Sequence, residues 1–303
     1  MKKVFYILLL LAGSQSVKAQ QWGNATTAQI DPLGTQYFSN QYLGNPAFAG
    51  IDTGLHINAA VKRQAKNDPG VPTTMAFTAD YAAGKRVGVG LYVYNDKAGL
   101  LSNTRVAATY AYHLPLSYSG THQLHFGLSV GFRTEFLDRK GLNGDGSDPS
   151  IGRFNSRDNY FDADFGVAYT SNGLNVQAAF PQLVGYFKSG NENMVNSSTF
   201  NTAVSYKIPV GAELTSIEPK VVFRGVRGFD NIVDMGANLV FLDNVANVFG
   251  MYHTSKNFTV GAGFNVAHTV GVVCAYTTQT AGLSNYLSGN FTIGLKVDLL
   301  HGK

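Results

Sequence analysis

Period-two alternation dominates the chain. Leu124, Phe126, Leu128, Val130 and Phe132 alternate with His125, Gly127, Ser129, Gly131 and Arg133. Phe161, Ala163, Phe165, Val167 and Tyr169 alternate with Asp162, Asp164, Gly166, Ala168 and Thr170. The same pattern recurs at Phe258–Ala267 and Phe291–Leu299. Successive side chains of a strand point to opposite faces, so each segment has one oily face and one polar or small face. Read this way, the chain predicts about fourteen strands. They fall near 53–64, 72–82, 86–95, 102–114, 122–136, 160–170, 173–180, 199–208, 213–224, 231–241, 245–254, 258–267, 269–277 and 286–299. Pro181 and Pro219 border or interrupt two of them, and proline is confined to edges and irregular points of a sheet.

A soluble sandwich also alternates, so other features must choose the class. The segments are about ten residues long, the span of a tilted transmembrane strand. Their second face is rich in Gly, Ser, Thr and Asn, as in a barrel lumen. Aromatics such as Tyr92, Tyr94, Tyr110, Tyr112, Tyr160 and Tyr169 lie near segment ends, where interfacial girdles form. The connections alternate too: every second one is short, whereas 138–158, 181–198 and 278–285 are longer and polar. The fold class expected is all-β, a transmembrane antiparallel β-barrel of about 14 strands with an even count and both termini in the periplasm.

The first residues form a leader. Lys2 and Lys3 precede a short apolar run, and Val17-Lys18-Ala19 supplies a cleavage box. The chain then divides into a signal peptide over 1–19, a periplasmic or lumen-tucked N-terminal segment over 20–50, and an outer-membrane barrel over 51–303. The middle segment is polar, Pro-interrupted and carries four aromatics, which does not suit a membrane strand.

Composition agrees with a lipid face and a wet face. The chain is 45% hydrophobic but only 14% charged, against roughly 25% charged in soluble domains. After loss of Lys2, Lys3 and Lys18, 20 basic residues stand against 19 acidic ones. That balance gives no reason to expect nucleic acid. The lone Cys274 excludes an internal disulfide framework.

No catalytic constellation stands out, and no cofactor or metal is expected. The seven histidines are scattered, and His122 with His125 lacks further ligands. Asn143 to Asp148 faintly resembles a calcium loop but lacks its downstream Glu. Arg105, Arg133, Asp162, Asp164, Arg224 and Lys296 fall on lumen faces, because a charge on the lipid face costs about 2–4 kcal/mol at mid-membrane. They could line a pore, hold a partner segment, or form an internal salt-bridge network that fills a narrow barrel.

Two motifs carry a resemblance. Asp31-Pro32, then Thr35-Gln36-Tyr37, then Asn45-Pro46-Ala47-Phe48-Ala49-Gly50 resembles the opening of the PorP/SprF family. Arg224-Gly225-Val226-Arg227-Gly228-Phe229-Asp230-Asn231, running into Asp234 to Asn238, resembles a second signature of that family. Thr35 stands where the family usually has Ser, and the chain ends His301-Gly302-Lys303 rather than on an aromatic. Proteins of this family are outer-membrane components of type IX secretion and gliding in Bacteroidota. The resemblance implies a multi-pass, non-enzymatic barrel that binds an exported protein with a C-terminal sorting domain and anchors it at the cell surface. Gln36, Tyr37, Asn45, Pro46, Phe48, Gly50, Arg224, Arg227 and Asp230 are the partner-binding residues it points to. Periplasmic secretion components and outer-membrane lipid are the other implied partners. A diffusion porin or small-molecule channel is the alternative, and an outer-membrane hydrolase would need a triad or metal site.

Overall fold

The computed structural model describes residues 32–65, 70–137, 160–184, 198–226, 231–267, 269–278 and 289–299. The expected leader over 1–19 lies outside them, as do most of the long connections. The described chain opens with one helical turn, α1 (Thr35–Phe38), and two 3₁₀ turns, η1 (Gln41–Leu43) and η2 (Pro46–Phe48). Strands follow: β1 (Leu55–Gln64), β2 (Thr73–Gly84), β3 (Val87–Ala98), β4 (Leu101–Pro115) and β5 (His122–Leu137). Next come β6 (Tyr160–Ser171), β7 (Leu174–Phe180), β8 (Ser198–Tyr206), β9 (Ile208–Pro209) and β10 (Leu214–Val226). The last are β11 (Ile232–Phe241), β12 (Ala246–His253), β13 (Asn257–Val266), β14 (Val270–Thr277) and β15 (Asn290–Leu299). No described helix is long and apolar enough to cross a membrane.

All pairings are antiparallel between neighbours, and β1 pairs with β15 from Leu55↔Leu299 to Gln64↔Asn290, which closes the sheet. The two-residue β9 continues β8 beyond Lys207, so the closed sheet has 14 staves. The break is where Pro219 needs it. On the β11 side Pro219 pairs with Ala237. On the other side pairing stops at Lys220↔Ser205 and resumes at Ile217↔Ile208. A proline has no N–H to donate there.

Burial is inverted relative to a soluble protein. The exposed large side chains include Val130, Phe132, Phe161, Phe258, Phe264, Ile293 and Leu295. The buried polar ones include Thr78, His125, Ser129, Asp164, Asp234, Thr259 and Thr292. An apolar exterior around a polar interior is what a bilayer solvates. Tyr92 and Tyr94 depart from the girdle expectation. Tyr92 is buried and bonds inward to Asp164, and both rings line a cavity inside the barrel.

Short turns join β2 to β3, β4 to β5, β6 to β7, β11 to β12 and β13 to β14. They share one end of the barrel with the start of β1 and the close of β15. The long connections share the other end, although Gly99-Leu100 and Thr254–Lys256 there are also brief.

Candidate functional site: a lumen filled by its own N-terminal segment

Residues 32–50 occupy the interior. Their side chains and backbone bond to strands on all sides. Tyr37 Oη donates to Asp234 on β11 (3.2 Å), Asn40 Nδ2 to Thr78 on β2 (3.0 Å), and Tyr42 Oη to Thr109 on β4 (2.7 Å). Asn45 Nδ2 donates to the Val167 carbonyl on β6 (3.3 Å) and to Gln177 on β7 (3.1 Å). Asn201 of β8 donates to the Gly44 carbonyl (3.4 Å), and Lys220 of β10 to the Tyr37 carbonyl and Gln41 Oε1. Only a segment inside the ring can reach so many strands. Burial holds the Tyr42 phenol above its ordinary range, so it stays a donor.

The Asn45–Gly50 motif can be explained residue by residue. Asn45 caps η2 by accepting from the Ala47 N–H (3.0 Å) while its amide holds β6 and β7. Pro46 sits at the first position of that turn, where its fixed φ is already helical. Ala47 and Ala49 are fully buried because they press on bare backbone. A Cβ at Gly127 would run into Pro46 and Ala47, one at Gly88 into the Ala49 carbonyl, and one at Gly166 into Asn45. Phe48 packs with Tyr42 and Tyr92. Gly50 then turns with φ of 62°, a left-handed conformation that favours glycine, and donates its N–H to Asp80 (2.9 Å).

Followed backward from Gly50, the segment climbs toward the long-connection end. Ala47 lies beside Gly127 near the short turns, and Tyr42 is at mid-height beside Thr109. Tyr37 is level with Asp234, close to the far rim. Leu33, near the described start, packs on Ala60 and Ala76.

An anchor closes the upper end. Asp234 accepts from Arg224 Nε (2.6 Å) and Nη2 (2.9 Å) and is bonded to His253 Nδ1 (2.7 Å). Tyr37 completes the set and lies 5.8 Å from the His253 ring. His253 Nε2 is 2.9 Å from Thr259 Oγ1, which formally gives a carboxylate–imidazole–hydroxyl line. Yet none of the three is more than 2% exposed, Thr259 is also bonded to Thr277, and Tyr37 covers the imidazole. The line therefore orients an anchor, with no room for substrate.

The lumen charges form a second network. Asp164 accepts from Arg105 (2.7 Å), Tyr92 (2.7 Å) and the Gln182 N–H (2.8 Å). Asp162 lies 3.7 Å from Arg105 and 4.0 Å from Arg133. Lys296 pairs instead with Asp298 at the short-turn end.

Of the residues singled out from sequence, Gln36, Tyr37, Asn45, Pro46, Phe48 and Gly50 sit inside the barrel, and Arg224 joins the anchor. Arg227, Asp230 and the Asn143–Asp148 stretch lie outside the described residues. His122 and His125 point to opposite faces, His122 toward Tyr169 and His125 toward His113 and Thr170. Among the described residues no three metal-ligating side chains converge. Asp234, His253 and Lys220 also carry the anchoring; Asp234 stands in the second signature, whereas His253 and Lys220 belong to neither motif. Strand parity was the available signal, since it turns all three inward.

A closed antiparallel sheet with an apolar exterior and a filled polar interior defines an outer-membrane β-barrel with an internal plug. The chain belongs to the family of type IX secretion system membrane proteins PorP/SprF, which it matches over residues 26–297. Among solved structures, the toluene transporter TbuX of Ralstonia pickettii is similar at 12% identity and TM-score 0.52, over 92% of this chain and 96% of that one. Omp33 of Acinetobacter baumannii is similar at 10% identity and TM-score 0.49, over 82% of this chain and 100% of that one. Outer membrane phospholipase A of Escherichia coli follows at 8% identity and TM-score 0.37, over 81% and 93%. At such identities the TbuX likeness speaks for the fold alone. None of the curated proteins compared with the chain matches it. Fold and family together make this a multi-pass outer-membrane protein of a secretion system.

Proposed function

We propose that this barrel works by contact: it binds an exported protein with a C-terminal sorting domain and anchors or links it at the cell surface. Family membership supplies the system. The observation that carries the reading is the plug, because residues 32–50 lie within the lumen and bond to strands on all sides of it. In this reading the short turns face the periplasm with the secretion components, after removal of a leader over 1–19. The connections 138–158, 181–198 and 278–285 face outward and meet the exported partner. Pro181 and Gln182 begin the second of these inside the lumen, where the Gln182 N–H reaches Asp164. Gln36, Tyr37, Asn45, Pro46, Phe48 and Gly50 then serve binding indirectly, by fixing the plug on which the outer face rests.

Cross-linking in intact cells followed by purification from native outer membranes tests this. A sorting-domain protein should co-purify with the wild-type barrel and be lost when the three long connections are shortened. Absence of any such protein with the connections intact would overturn the reading.

A further inference from the structure

The outer face of the barrel ends in two different ways at the long-connection rim. On β12, β13, β14 and β15 the last outward residues are aromatic: Tyr252, Phe258, Tyr276 and Phe291. On β1, β2, β3 and β4 they are Arg63, Thr73, Lys97 and Ser102. Lys62, Thr74, Asp96 and Arg105 on the same strands are buried, so alternation turns these four outward. The belt of rings therefore gives way to a polar sector four strands wide.

Arg63, Thr73, Lys97 and Ser102 stand in one register row. Two strand spacings separate the cations, roughly 10 Å between their Cα atoms. Thr73 between them is short, and its hydroxyl turns back to the Val71 carbonyl (3.3 Å). Both long side chains can therefore close over Thr73 on a single anion. Arg63 and Lys97 are exposed, and among the described residues no carboxylate pairs with either. Beside them Asn95 Nδ2 donates to Ser102 Oγ (3.0 Å) and Thr104 Oγ1 (2.7 Å), which leaves both hydroxyl protons for another acceptor. Two residues nearer mid-membrane, Val61 and Met75 are paired, apolar and exposed. A ligand that fits both levels is amphiphilic, with an anionic head on the cations and acyl chains on the apolar wall below.

We propose that this sector of the rim binds the phosphate head of an anionic membrane lipid, with Arg63 and Lys97 as its two cationic contacts. A guanidinium matches phosphate oxygens in pairs, and an ammonium adds a point charge. An acidic protein segment would match the charges but not the apolar wall directly beneath them. The proposal rests on the lipid-facing exterior and does not depend on the exported-partner reading.

Native mass spectrometry of the full-length barrel tests it. The protein is released from mixed micelles that hold phosphatidic acid and phosphatidylcholine with the same acyl chains in equal amounts. Phosphatidic acid should be retained about tenfold or more over phosphatidylcholine. R63Q and K97Q should each lower that preference about fivefold, and R63Q/K97Q should bring it close to parity. Both side chains lie on the surface, and the heat-dependent gel shift shows that the variants fold. No preference in the wild-type barrel overturns the proposal, as does a preference undiminished in R63Q/K97Q. Displacement of the lipid by a doubly capped pentapeptide rich in Glu would name a protein segment instead and overturn the lipid assignment.

Discussion

Asp234 collects four bonds: two from Arg224, one with His253 and one from Tyr37. It is fully buried, so a lost charge there is not replaced by water. D234N should destabilise the barrel by about 3–5 kcal/mol, because it removes the buried carboxylate charge that Arg224 pairs with through two hydrogen bonds. Y37F removes one hydrogen bond and should cost about 1 kcal/mol. Urea titration followed by the heat-dependent gel shift of the barrel would rank them, and equal effects would contradict the anchor. Parity turned Arg224 inward from sequence alone. The pairing with Asp234, ten positions on, appears only once β10 and β11 are in register. Tyr92 and Tyr94 show the opposite case. Aromatics near a predicted strand end read as girdle residues, yet β3 runs on to Ala98 and its alternation with the exposed Val89 and Leu91 puts Tyr92 on the inner face, where it meets Asp164.

Among elements, the strands were legible, and the plug was legible only as one of two alternatives, periplasmic or lumen-tucked. Alternation is a local signal, and it gave boundaries within a few residues for each stave, including the two bordered by proline. The segment 32–50 has no period to read. What places it are contacts 30 to 197 positions apart, such as Gly50 to Asp80 and Tyr37 to Asp234. Its motif could be recognised from sequence, but the glycine floor at Gly88, Gly127 and Gly166 was hidden among other lumen glycines. G127L should therefore lift η2 from the wall and expose 32–50 to protease, while the barrel still resists it. A cross-link tests the seat directly. A Cβ at Gly34 would lie 3.2 Å from the Ala275 Cβ, close to the spacing of a disulfide, about 3.5–4.5 Å. G34C/A275C, with Cys274 changed to Ser, should oxidise readily and run faster on a non-reducing denaturing gel. Failure to cross-link would mean that the segment sits elsewhere.

For the whole molecule, the inverted burial and the closed ring make the outer membrane its solvent, and the family places it in type IX secretion. What remains between the two proposed modes of action, contact or passage, is the state of the lumen. Single-channel recording in planar bilayers decides it. The wild-type barrel should be silent or nearly so, and D234N and G127L, which loosen the plug at its two ends, should show discrete openings. Steady large currents through the wild-type protein, unchanged in both variants, would contradict the account and make it a channel.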